Sequence, residues 1–120
     1  MAGTCQESHQ TFSFTAFEDI KAKRFTTTAG AYATGAANEQ VLGVSDTDVS
    51  KGRPGLAISA GRMVVQFASI AGDLSKLQIT AEGKVIAATS GTVVASLDPR
   101  CSSPSKDDDY ATVILNLTTA

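Results

Sequence analysis

Apolar and polar residues alternate with period two along most of this chain. In Thr11-Phe12-Ser13-Phe14-Thr15 the alternation is unbroken. Residues 20–27 read as a further extended stretch, with Lys21 and Lys23 on one face and Ala22 on the other. Val41-Leu42-Gly43-Val44 and Leu56-Ala57-Ile58 are short apolar strands. Residues 62–68 place Met63, Val65 and Phe67 together, and Leu77, Ile79 and Ala81 share a face opposite Gln78 and Thr80. Residues 85–88 and 93–97 follow, and residues 112–117 close the series with Val113, Leu115 and Leu117 on one side. A strand with one face in a core and the other in water has this period. The helical spacing i, i+3, i+4, i+7 is nowhere sustained, because Gly, Thr and Ser interrupt it. The one candidate helical element is a turn over residues 72–76, which reads equally as a loop.

The punctuation agrees with strands. Gly72-Asp73, Glu82-Gly83 and Ser90-Gly91 lie about one short strand apart, and glycine supplies the positive φ that tight hairpin turns demand. This spacing predicts an antiparallel meander in the second half. The fold class is therefore all-β, a small antiparallel β-barrel or β-sandwich. Residues 1–11 are polar, as in a terminus that orders when it docks. Cys101-Ser-Ser-Pro-Ser-Lys-Asp-Asp-Asp109 reads as a solvated loop. The chain divides into an extended N-terminal arm, 1–19, and a single β domain, 20–120. No internal repeat or long linker is seen.

Composition narrows the functional classes. A chain of 120 residues supports one modest core. Ten basic against twelve acidic residues give a net charge of −2, which argues against a nucleic-acid footprint. With 42% hydrophobic and 18% charged residues the chain is expected to fold. No apolar run reaches the ~18 residues of a membrane span. The start, MAGTCQESHQ, lacks the charged and apolar regions of a secretory signal, which points to synthesis in a cytoplasm. Cys5 and Cys101 are far apart, and with His9 they fall short of the four ligands of a zinc site. Reduced thiols are the default for a cytosolic chain, with a Cys5–Cys101 disulfide left open by the spacing.

Candidate chemistry is sparse. A hydrolase would need His9, the only histidine, as its base, and that residue lies in the polar terminus without a frame to hold it. Gly72-Asp73-Leu74-Ser75 reads as a turn in which Asp73 bonds nearby N–H groups. Asp107-Asp108-Asp109 and Asp46-Thr47-Asp48 lack the alternating ligand set of a calcium loop and read as polar loops. Gly52, Gly55 and Gly61 form no phosphate-binding pattern. No catalytic, cofactor-binding or metal residues are assigned, no cofactor is expected, and the chain is read as a non-enzyme. Two groups remain. Lys21, Lys23 and Arg24 form a small basic cluster, suited to an acidic partner or to discouraging edge pairing on a strand. Phe12, Phe14 and Phe17 are three of five phenylalanines, either the packing of a first strand or an arm that buries aromatics against a partner.

An ordered set of blocks runs through the chain: Lys21-Ala-Lys-Arg-Phe25, Val41-Leu-Gly-Val-Ser-Asp46, the strand from Gly61 to Val65, Ala71-Gly-Asp-Leu74, Ala81-Glu-Gly-Lys-Val85 and Val94-Ala-Ser-Leu-Asp98. Over residues 20–117 this order resembles the capsid cement, or head decoration, proteins of tailed bacteriophages. The resemblance implies a virion structural protein that binds the outer surface of the expanded capsid and clamps adjacent major capsid protein subunits. It implies the major capsid protein and further copies of itself as partners, in a homotrimer, with a dimer the other open state. Neither nucleic acid nor membrane is expected as a partner. Its place would be the outer capsid surface of the virion after synthesis in the host cytoplasm. The capsid-contact candidates are Phe12, Phe14, Phe17, Lys21, Lys23 and Arg24, with the arm able to add a strand to a capsid sheet edge. Removing residues 1–17 is then expected to weaken attachment and spare the fold. The alternative from another class is a non-catalytic β-rich module recognising glycans or a host surface.

Overall fold

The computed structural model describes residues 11–36, 39–89, 92–101 and 103–115. Nine strands follow in chain order: β1 (Thr11–Thr15), β2 (Phe25–Thr27), β3 (Val41–Ser45), β4 (Pro54–Ile58), β5 (Arg62–Gln66), β6 (Leu77–Ile79), β7 (Val85–Ala87), β8 (Ala95–Leu97) and β9 (Tyr110–Leu115). They form two antiparallel sheets, one of four strands in the order β1-β4-β3-β2 and one of five in the order β5-β9-β8-β6-β7. The all-β architecture expected from the alternation is the one observed.

The main core lies between the sheets. Val44 and Ile58, paired across β3 and β4, meet Met63, Val65, Phe67, Leu77, Val85 and Val113 from the other sheet, with Phe25 fully buried among them. Met63, Val65 and Phe67 share one face, as the period-two pattern requires, and none is exposed to solvent. Burying an aliphatic or aromatic side chain of this size contributes about 1.5–3 kcal/mol against exposure.

A second, smaller core covers the opposite face of the four-stranded sheet. It holds Phe14, Ala16, Ile20, Val49 and Ala57, with Leu42 and Tyr32 against it. Its construction starts at Gly55, opposite Phe14 in the β1–β4 register. A Cβ on Gly55 would come within 2.5 Å of Val49 Cγ2 and 3.0 Å of Phe14 Cζ, so the missing side chain is the space the Phe14 ring fills. A β-bulge also contributes. Thr26 pairs with Gly43 and Thr27 with Val41, skipping Leu42. The extra residue turns Val41 toward the main core and Leu42 toward the small one.

The sheets are joined at the β6–β7 hairpin, whose tip carries Glu82 at φ 61° and Gly83 at φ 73°. Gly83 donates its N–H to Ala33 O at 2.9 Å, and a Cβ there would stand 2.4 Å from Phe25 O. Positive φ and close backbone approach both select glycine.

Three expectations are corrected. Residues 20–24 are not strand: Ile20 forms an isolated bridge with Val49, and residues 22–24 turn, with Lys23 at φ 68°. The turn wins because its backbone groups are satisfied by residues from the β3–β4 region. Asp48 Oδ1 accepts from Ala22 N–H at 2.7 Å, Ser45 Oγ donates to Lys21 O at 2.7 Å, and Ser45 O accepts from Lys23 N–H at 2.9 Å. The second half is not a simple meander either, since β9 inserts between β5 and β8. Finally, Cys101 is oxidised in a disulfide rather than a free thiol, and Cys5 lies outside the described residues. The Ser90-Gly91 turn, Leu117 and His9 also fall outside them.

Candidate contact surface

The six candidate contact residues fall into two groups. Three are committed to the protein's own structure. Phe14 is 6% exposed, under the small core. Arg24 donates Nε–H to Gln66 Oε1 at 3.1 Å and stands over the Tyr32 ring, 5.4 Å from its centroid. Gln66 in turn donates Nε2–H to Asp108 O at 3.1 Å and its backbone N–H to Lys23 O at 3.0 Å. Arg24 is thus a tie between the sheets. Lys23 is half-buried, with Nζ 4.0 Å from Asp46 Oδ1.

The other three project outward. Phe17 is 70% exposed and Phe12 47% exposed, and Lys21 is exposed. Phe12 follows the same side of β1 as Phe14 but lies beyond the cover of the small core. Phe17 sits past the end of β1, its N–H donated to Gly30 O at 2.9 Å. Lys21 is held by its backbone: its N–H donates to Tyr32 Oη at 2.8 Å. The rigid turn therefore presents the Lys21 side chain while using its main chain. Of the arm 1–19, residues 11–15 form an edge strand of the four-stranded sheet. Removing residues 1–17 would consequently take Phe14 from the small core as well as any contact residues. Phe17 and Lys21 are the positions where contact can be tested apart from folding.

The acidic loops are structural. Asp107 Oδ1 accepts from Ile70 N–H at 3.2 Å, Asp108 Oδ1 pairs with Lys84 Nζ at 3.0 Å, and Asp109 accepts from Ser105 and Tyr110 N–H, both at 2.9 Å. The three carboxylates diverge. The Ser105 and Tyr110 amides hold the Asp109 carboxyl below the ordinary carboxylate range, and the Ser75 N–H and hydroxyl do the same for Asp73. Among the described residues no three His, Cys, Asp or Glu side chains are placed to share a metal ion.

Sequence reasoning missed two features. Asp98 is fully buried on the outer face of the five-stranded sheet. Its Oδ2 lies 2.8 Å from Arg62 Nε, and its Oδ1 accepts from Arg100 N–H at 3.0 Å and Nε–H at 3.3 Å. The signal was an acid directly after a strand and two residues before an arginine. The second miss is a set of exposed apolar residues, Leu56, Tyr110 and Ile114, each at least 39% exposed. Each lies beside a buried neighbour in β4 or β9, and none was given a surface role from the sequence.

No family model matches this chain, and no curated protein matches it. Among solved structures it is similar to the head fiber gp8.5 N base of bacteriophage phi29. The TM-score is 0.64 at 14% identity, over 91% of this chain and 95% of that one. The two share a fold.

Proposed function

We propose that this chain is a bacteriophage virion structural protein, carried on the outside of the head and acting by adhesion rather than catalysis. The observation that carries the reading is the likeness, over nearly the whole of both chains, to the base of a phage head fiber. The ordered blocks of residues 20–117 and the outward Phe17 and Lys21 support it. In this reading the domain sits on the expanded capsid and clamps neighbouring major capsid protein subunits. Phe17 loses its water against an apolar patch, and Lys21 meets an acidic one. A single copy contributes little after association costs, and repetition over a symmetric shell multiplies the effect through effective concentration.

The test is to mix the purified protein with expanded, undecorated capsids of the parent phage and measure bound stoichiometry. Saturable binding is expected, weakened at least tenfold, about 1.4 kcal/mol, by Phe17→Ser with Lys21→Glu. The variant keeps the wild-type melting profile, because both side chains are exposed. Absence of stoichiometric binding would overturn the reading.

A further inference from the structure

We propose that β1 is a self-pairing edge, through which two copies of this chain join their four-stranded sheets about a two-fold axis at Ser13. The proposal stands apart from the capsid reading. It rests on three observations.

First, among the described residues β1 has an open edge where the other sheet edges are met. Beside β2, Ala33 donates its N–H to Phe25 O at 3.0 Å and Thr27 its N–H to Ala31 O at 2.8 Å. The outer strands of the five-stranded sheet, β5 and β7, are drawn together at the Phe67–Val85 bridge. β1 pairs with β4 on one side only.

Second, the direction of its hydrogen bonds is fixed. Ala16 N–H donates to Arg53 O at 2.9 Å and Ala16 O accepts from Gly52 N–H at 2.7 Å, so by alternation Phe12 and Phe14 also turn their backbone toward β4. Pro54, which has no N–H, stands opposite Thr15, as it must at a non-hydrogen-bonded pair. Thr11, Ser13 and Thr15 therefore direct their N–H and C=O groups outward. The edge closes at Thr15, where a Cβ on Gly30 would stand 2.0 Å from Thr15 O and Gly30 O takes the Phe17 N–H.

Third, the strand is a palindrome, Thr-Phe-Ser-Phe-Thr. Antiparallel pairing centred on Ser13 puts Ser13 against Ser13 of the second copy in a reciprocal hydrogen-bonded pair. Phe12 then faces Phe14 of that copy, and the pairing stops short of Thr15, whose carbonyl is covered by Gly30. The Phe12–Phe14 pairs are of the non-hydrogen-bonded kind, with Cα atoms about 4.5 Å apart, where cross-strand aromatic contact is closest. The half-exposed Phe12 ring gains a cover, and the small core extends across the axis. β1 carries no charge, so a second copy meets no repulsion, and it carries none of the lysine, proline or bulge devices that block edge pairing. The interface is isologous, as a two-fold requires. One short strand covers less than the ~1,200 Å² of a stable interface, so the dimer is weak in solution and favoured where copies are held close.

The experiment is sedimentation of the full chain from about 1 µM to about 1 mM, a range that brackets a weak dimer, with amide hydrogen exchange at Ser13. A monomer–dimer equilibrium is expected, with Ser13 exchange slowing as dimer accumulates. Ser13→Pro removes an outward N–H without touching a bond to β4 and is expected to weaken dimerisation at least tenfold. If that variant does not fold, the concentration dependence of Ser13 exchange in the native chain decides. A monomer throughout, a trimer, a folded Ser13→Pro that dimerises unimpaired, or Ser13 protection independent of concentration would each overturn the proposal. None of these results bears on capsid binding, so the two readings fail separately.

Discussion

The outer faces of the two sheets are closed by opposite means. On the four-stranded sheet, Phe14, Ala16, Ile20, Val49 and Ala57 make an apolar cover. On the five-stranded sheet, Asp98 is buried between Arg62 and Arg100. The apolar cover is held by area and shape, so it tolerates gradual change. The ionic one is held by a balance of desolvation against attraction, so losing one partner leaves a charge stranded.

That contrast can be broken most directly at Asp98. Asp98→Ala is expected to cost about 3–5 kcal/mol in urea unfolding, a large share of the 5–15 kcal/mol of a typical domain. Replacing the pair together, as Asp98→Leu with Arg62→Met, should cost less than Asp98→Ala alone, because no buried charge is left unpaired and the remaining Arg100 side chain is exposed and hydrated. If the double variant is the worse of the two, the ionic reading of that face fails. Phe14→Ala comes next, at about 3 kcal/mol, the lower part of the range for Phe→Ala. The same change at Phe67 in the main core should cost more, and equal values would erase the distinction between the two cores. Gly55→Ala should cost about 1–2 kcal/mol by overpacking, since the atoms it meets are side-chain ends of Val49 and Phe14 that can shift. A Phe14→Leu background should relieve part of that loss.

The smallest effect is one of pH. The Asp109 carboxyl is held below its ordinary value of 3.8 by the Ser105 and Tyr110 amides. A lowered native pKa means stabilisation that is complete above the unfolded value and lost as pH falls through the native one. The difference in urea midpoint between the wild type and Asp109→Asn should therefore be present at neutral pH. It should shrink steadily in acid below about pH 4.

Much of the fold was written in period two. β1 and the inward triad Met63, Val65 and Phe67 were legible because strict alternation has few other readings, while β3 showed only as a short apolar run with its bulge hidden. The 20–24 turn was not, because its cause lies elsewhere in the chain: Asp48 and Ser45 reach it from the β3–β4 region, and a strand pattern carries no trace of them. Strand order was hidden for a related reason. Alternation fixes which face a residue takes and says nothing of which strand lies beside it. At the contact surface, sequence named Phe12, Phe17 and Lys21 among the outward residues. It could not separate them from Phe14 and Arg24, which have the same chemistry and differ only in what the tertiary structure lays over them.

The insertion of β9 between β5 and β8 has a consequence for how the protein is made. β5 and β8 can be translated, yet they cannot be joined until the most C-terminal of the described strands arrives to bridge them. Partners so far apart along the chain must close a long loop before their contacts repay it, which places such topologies among slow folders, in milliseconds to seconds. During synthesis, β5 waits with the edge that β9 will fill unpaired, and chaperone protection is most needed at that stage.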